Sequence, residues 1–287
     1  MSWINFVEDV PEMFMDWLKF NEERKARNKM TFTRVWKKSR RVRIPLRYPF
    51  HTIRKLPSFV GIGEQKCGTS SLFHYFARNP ELDRPMMKEV HFFGRKTRLR
   101  MNHGRSEAVY RSYFPLNIND KPTFEVTPGY LSWPDAPKEM HDMMPDIKLV
   151  VLVREPVSRF WSGYHMGVRG GVESRPPMDI INLYPEEEWT IGRHVERGEY
   201  AKNLAQWTEQ YDREQILVVK SEDLREWSWA TMKDIYDFLD VEWSPPTNRE
   251  WNVAKYDRVI PDDVREALDE HYGPHNDRLK EEWNISW

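Results

Sequence analysis

The chain has 287 residues, 39% hydrophobic and 14% aromatic, with a formal net charge of -1. That is enough apolar side chain for a sizeable core and too little net charge for a disordered polyelectrolyte, so a soluble folded protein is expected. The single cysteine, Cys67, excludes an intramolecular disulfide and any CxxC metal site, and fits a reducing compartment.

From the amino end, Trp3, Val7, Val10, Phe14 and Trp17 recur at spacings of four and three. They form an apolar stripe on a helix that Pro11 kinks or restarts. Packing on the core or on a partner is expected of it, homo-oligomerisation through this helix included, with shallow membrane contact as the other reading. No apolar run of about 18 residues occurs, so no transmembrane segment is expected. The start lacks the basic-then-apolar order of a signal peptide, and a cytoplasmic location is expected. From Arg24 to Gly63 there is no Asp or Glu, while RVWKKSRRVRIPLR is rich in Lys and Arg. A solvated basic arm accounts for this, and no nucleic-acid partner is expected. Residues 1–56 are read as a helical and basic extension, and residues 57–287 as a single domain.

FVGIG (Phe59 to Gly63) is a short apolar strand, and SSLFHYFARNP a helix whose Leu72, Tyr75 and Phe76 share one face. IKLVVLV (Ile147 to Val153) runs into the helical REPVSRFWSGYHM, and QILVVK (Gln215 to Lys220) precedes SEDL. Continuous apolar strands alternating with helices predict an α/β fold, with a P-loop-like central parallel sheet flanked by helices.

The loop GEQKCGTSS joins the first strand to its helix. Gly63 and Gly68 keep the spacing of a Walker A loop, but Thr69 stands where the lysine belongs and Lys66 lies inside the loop. Backbone N–H groups from Lys66 to Ser70 are expected to converge on an anion at the positive end of the helix, with Thr69, Ser70 and Ser71 adding hydroxyls. A nucleoside triphosphate would want the displaced lysine and a downstream acid for Mg²⁺. Glu222 and Asp223 follow LVVK, where a lysine interrupts the apolar strand end, so a P-loop kinase is the weaker alternative.

GEQKCGTSSL after an apolar strand resembles the 5'-phosphosulfate loop of the sulfotransferases that use 3'-phosphoadenosine 5'-phosphosulfate, PAPS. LVREPVSRFWSGY is similar to that family's 3'-phosphate motif, which maps to Arg154 and Ser162. MKEVHFFG is similar to the segment supplying the catalytic base in the branch that acts on heparan sulfate, which maps to Glu89. His91, two residues on, shares a face with Glu89 on an extended segment, so both are candidates for the base. FEVTPGYL resembles an E-K-[ST]-P-x-Y segment, but Val126 replaces the lysine and leaves acceptor identity open. GEYAKNLAQW and NVAKY resemble later segments that close over the cofactor, and PHNDRLKEEWNISW the closing helix. The resemblance spans residues 57 to 287.

It implies transfer of a sulfuryl group from PAPS to a hydroxyl or amine by in-line displacement, with no metal. Lys66, Glu89 and His91 are the implied catalytic residues. Gln65, Lys66, Cys67, Gly68, Thr69, Ser70, Ser71, Arg154, Ser162, Tyr200, Lys255 and Tyr256 are the implied cofactor-binding residues. A small molecule, a lipid or a saccharide is the expected acceptor. RKTRLRMNHGR is either an anionic-acceptor contact or a solvated loop, and Trp133, Trp161, Trp189 and Trp207 either stack on rings or pack in the core. A non-catalytic PAPS-binding or nucleotide-binding protein is the other alternative.

Overall fold

A computed structural model of the chain describes residues 43–94, 106–184, 194–246 and 259–287. The chain divides into two units, Met1–Phe50 and His51–Trp287, and the second carries the sheet. The apolar stripe at Trp3 to Trp17, most of the basic arm, the segment 95–105, Trp189, Lys255 and Tyr256 lie outside the described residues.

Four strands, β1 (Phe59–Gly63), β2 (Phe124–Val126), β3 (Lys148–Val153) and β4 (Ile216–Lys220), form an all-parallel sheet in the order β2-β1-β3-β4. β1 is buried throughout and β3 from Leu149 onward, as strands covered on both faces must be. Burying each such aliphatic side chain contributes on the order of 1.5–3 kcal/mol. The second and third apolar runs become strands as expected, each starting one residue late. β2 is the unanticipated strand, because three residues centred on Glu125 carry no apolar run.

The described helices are α1 (Thr69–Phe76), α2 (Glu107–Arg111), α3 (Ala136–His141), α4 (Pro156–Arg169), α5 (Pro177–Asn182), α6 (Tyr200–Thr208), α7 (Ser221–Glu226), α8 (Ser228–Leu239) and α9 (Asp262–Trp283). Leu72, Tyr75 and Phe76 of α1 pack with Phe59, Phe124, Val150 and Leu152 of the sheet and with Met232, Ile235 and Tyr236 of α8. A second cluster joins Val157, Phe160 and Trp161 of α4 to Leu268 and Tyr272 of α9. The Glu155 carboxylate caps α4 by accepting the N–H groups of Val157 (2.9 Å) and Ser158 (2.8 Å), with Pro156 opening the helix.

From β1 the chain goes first to β2 on one side and then to β3 on the other. β1 and β3 therefore flank a topological switch point, and in open parallel sheets the crevice beyond the carboxyl ends of such strands binds ligands. Two residues at the end of the basic stretch have internal duties. Arg54 donates to Phe114 O (3.0 Å), and Lys55 pairs with Asp83 (2.8 Å).

Candidate active site

The loop after β1 departs from the sheet through Gly63, where a Cβ would lie 2.5 Å from Leu131 Cβ. Only glycine lets the strand end pass so close, and the Leu131 N–H donates to Ile62 O across that approach (2.8 Å). Glu64 follows, fully buried, an acid in the loop for which the sequence predicts an anion. Its carboxylate accepts the Gln65 N–H (2.6 Å) and pairs with the Arg197 guanidinium (2.6 Å), so the charge is neutralised from α6's side.

Cys67 N–H donates to Glu64 O (3.1 Å), closing a turn in which Lys66 adopts φ 78°. Gly68 then takes φ 88° and caps α1, a conformation for which glycine is the ready choice. Thr69 and Ser70 form the first turn of α1, whose leading N–H groups have no acceptor inside the helix, while Ser71 and Leu72 N–H turn back to Gly68 O. The expected convergence of N–H groups from Lys66 to Ser70 is thereby narrowed, since the Cys67 N–H is taken by the turn. Its thiol is fully buried against the Tyr200 hydroxyl (3.7 Å), and burial, then the Glu64 carboxylate, push its pKa up to about 12. Cys67 supports the loop from beneath as a protonated thiol.

Arg154 leaves the end of β3 and reaches the loop, donating from Nη1 to Lys66 O (3.4 Å). Tyr200, buried at the start of α6, donates its hydroxyl to Arg154 O (2.9 Å) while touching Cys67. Tyr200 thus braces the loop and Arg154 together from behind. Ser162 lies buried on α4, eight residues beyond Arg154. On the same helix Arg159 is fully buried. It donates to His194 O, while its Nε and Nη1 have no hydrogen-bond partner among the described residues. This guanidinium acts electrostatically on both Cys67 and Tyr200, so positive charge stands behind the loop.

On the β2 side, Glu89 N–H donates to Val126 O (3.2 Å), which hangs the segment Lys88–Gly94 beside the end of that strand. Lys88 pairs with Glu89 Oε1, and His91 Nε2 lies 3.3 Å from Glu89 Oε2. The two candidates meet as the sequence predicts, but for a different reason. The segment is not extended: Glu89 has φ 60° and His91 φ 55°, sparsely populated backbone that persists where surrounding structure enforces it. Burial raises the Glu89 pKa, yet the His91 hydrogen bond and the Lys88 ammonium outweigh it and hold the carboxyl at about 2. His91 Nδ1 has no hydrogen-bond partner among the described residues.

The enforcing structure is centred on Glu125, fully buried in β2. Its carboxylate accepts hydroxyls from Tyr110, Thr127 (2.6 Å) and Tyr130 (2.7 Å). Tyr130 in turn accepts the Phe92 N–H (2.8 Å), and Thr127 Oγ1 lies 3.5 Å from the His91 N. Phe92 and Phe93 are buried against Tyr110, so the base segment is gripped by ring packing as well as by hydrogen bonds. Burial pushes the Glu125 carboxyl up from its ordinary value, while the three hydroxyls oppose that. Val126, where a lysine is usual, packs in the core with Leu72 and Phe124. Trp133, Trp161 and Trp207 are buried too, which favours the packing reading for them.

Arg159, Arg197 and Glu125 escaped the sequence reading. A signal existed for two of them: an acid next to Gly63 in an anion loop demands a cation, and an acid inside an apolar strand flanked by Thr127 and Tyr130 demands donors.

The sulfotransferase domain family matches over residues 57–258, a span containing every element just described except α9. The chain belongs to this family. The chain is 31% identical over 192 residues to heparan sulfate glucosamine 3-O-sulfotransferase 6 of Homo sapiens, covering 66% of its own length and 54% of the relative's. It is 27% identical to the bifunctional heparan sulfate N-deacetylase/N-sulfotransferase 3 of Mus musculus, covering 66% and 23%. The chain spans about half the length of the 3-O-sulfotransferases it matches. A crystal structure of a sulfotransferase from Alicyclobacillus acidocaldarius is similar with a TM-score of 0.69 and 25% identity, over 81% of this chain and 98% of that one.

Proposed function

We propose that this chain moves a sulfuryl group from PAPS to a hydroxyl or amine of a saccharide, lipid or small-molecule acceptor by in-line displacement. The observation that carries the reading is the meeting of two anion-binding devices at the β1–β3 switch point, with Arg154 Nη1 3.4 Å from the Lys66 carbonyl of the helix-terminus loop. The heparan sulfate enzymes among its relatives favour a saccharide as the first acceptor to test.

The residues fit such a donor. The buried Arg159 guanidinium, two of whose nitrogens have no hydrogen-bond partner among the described residues, favours anions in the cradle. The first turn of α1, with Thr69, Ser70 and Ser71, would hold the 5' end. Arg154 and Ser162 would hold the 3'-phosphate, with Lys255 and Tyr256 closing over it. Bound there, PAPS supplies an activated sulfuryl group. Lys66 provides positive charge where the leaving oxygen gathers negative charge, a type of contribution worth roughly 10²- to 10³-fold in rate. Glu89 and His91 act as one proton-accepting unit. The carboxylate alone, held at about 2, is a weak base, and the His91 ring 3.3 Å away shares the proton. The cradle's own cations supply the counter-charge, so the transfer is proposed to need no metal.

Thermal shift is the first test. Adenosine 3',5'-bisphosphate is expected to raise the melting temperature more than ATP with Mg²⁺, and the reverse result sinks the proposal. Incubation with PAPS and saccharide or metabolite acceptors should then give products heavier by one sulfuryl group. Binding of the bisphosphate with no product from any acceptor class would favour the non-catalytic alternative.

A further inference from the structure

Away from the cradle, Glu199, His271 and His275 each bring one ligand atom to within 4.8 Å of the other two. The histidines sit one turn apart on α9, their rings 5.6 Å apart, and Glu199 immediately precedes α6, its side chain 2% exposed. We propose that these three residues form a binding site for one divalent transition-metal ion of the zinc type, separate from the sulfuryl-transfer centre.

The donor set carries the inference. Two imidazoles at i and i+4 on one helix face, joined by a carboxylate from a neighbouring helix, make a three-ligand site whose fourth position goes to water. Glu199 Oε1 lies 3.0 Å from His271 Nε2. Ligand atoms 2.0–2.1 Å from a tetrahedral ion are about 3.3 Å apart, so Glu199 and His271 part by only about 0.3 Å, while the three atoms, spread over as much as 4.8 Å, close up by up to roughly 1.5 Å as the ion enters.

The outer contacts suit the same end. Glu199 Oε2 accepts from Lys202 Nζ (2.7 Å), and the Tyr184 hydroxyl hydrogen-bonds to this carboxylate as well. Such partners orient the carboxylate, as outer contacts commonly do around a metal. The Lys202 side chain is 47% exposed and can turn its ammonium into solvent, so it does not bar a cation. Both histidines are only partly buried, which gives the ion a path in and the water ligand a place. The ion would clamp α9 to the start of α6, one residue before the Tyr200 that braces Arg154.

The test uses the full chain, tag removed and chelator-treated, titrated with Zn²⁺ or Co²⁺. One ion should bind per chain in a saturable isotherm, with the visible d–d absorption of tetrahedral Co²⁺ and a Zn²⁺-dependent rise in melting temperature that chelator reverses. His275→Gln, which removes a ligand, should weaken binding by more than about tenfold, at least the cost of losing an outer partner. No saturable binding by the natural chain, or undiminished binding by both His271→Gln and His275→Gln, overturns the site. His275→Gln carries the test if His271→Gln, which also loses the Glu199 contact, does not fold. Adenosine 3',5'-bisphosphate binding by the metal-free protein reads the transfer centre independently.

Discussion

The proposed anion cradle between β1 and β3 and the proposed proton-accepting segment beside β2 belong to the same sheet, yet they are held by different means. The cradle is built mainly from one contiguous stretch: strand, turn and helix terminus follow each other from Phe59 to Phe76, and long-range partners such as Arg197 and Tyr200 trim and brace it. The base segment is suspended. Its two key residues adopt left-handed backbone, and their placement depends on Glu125, Tyr130 and the Phe92–Phe93 pair. A dipole and a close-packed turn suffice to attract an anion, whereas a proton acceptor needs a position and a protonation state, and both require distant neighbours.

Substitutions should separate the two regions. Glu89→Gln should lower kcat by roughly 10²- to 10⁴-fold while leaving adenosine 3',5'-bisphosphate affinity unchanged, measured by steady-state kinetics and calorimetry. Equal losses in both would merge the regions. Lys66→Ala should lower kcat by roughly 10²- to 10³-fold, and a variant forming product at the natural rate would remove Lys66 from catalysis.

Acid should loosen the cradle side first. His194, behind it, is held near pKa 4 against an ordinary 6.5 by burial and then by Arg159 and Arg197. The unfolded chain therefore takes the proton before the folded one does. Stability is complete above pH 6.5 and falls by about 3 kcal/mol as pH drops toward 4, seen as a declining melting temperature that His194→Asn flattens.

Glu125→Gln keeps the shape but turns an amide toward hydroxyl donors, and should cost about 1–3 kcal/mol in denaturant unfolding. It should lower kcat and alter its pH profile with little change in bisphosphate affinity, because only the base segment hangs from it. The smallest effect belongs to neither region: Lys138→Ala breaks the exposed pair with Asp142 on α3 and should cost less than about 0.5 kcal/mol.

Much of the cradle was legible from residues alone. Gly63, Gly68 and the apolar run before them predict strand, turn and helix without knowledge of any partner, because each signal is local. The runs at 147–153 and 215–220 are equally plain, the first because a strand buried on both faces must be apolar and the second because its apolar run is unbroken up to Lys220, although at the sheet edge only Ile216 is buried. β2 was hidden by its length and its buried acid. The meeting of Glu89 with His91 was foreseen from a two-residue spacing, but the extended backbone assumed for it is absent. Tyr200 and Cys67 fall in the motifs that imply cofactor contact, and what the residues alone do not reveal is that the two are buried against each other and brace the loop.

The sequence by itself determined the parallel α/β order, the glycine-bounded anion loop and the family to which the chain belongs. These rest on local periodicity and on short motifs whose chemistry travels with them. Only the tertiary structure decided which acid neutralises which base: Glu64 with Arg197, Glu125 with three hydroxyls, Glu89 with Lys88 and His91, Glu199 with His271 and Lys202. A charged side chain's partner depends on which distant segments the sheet order brings alongside it, and its protonation on how much water that packing leaves.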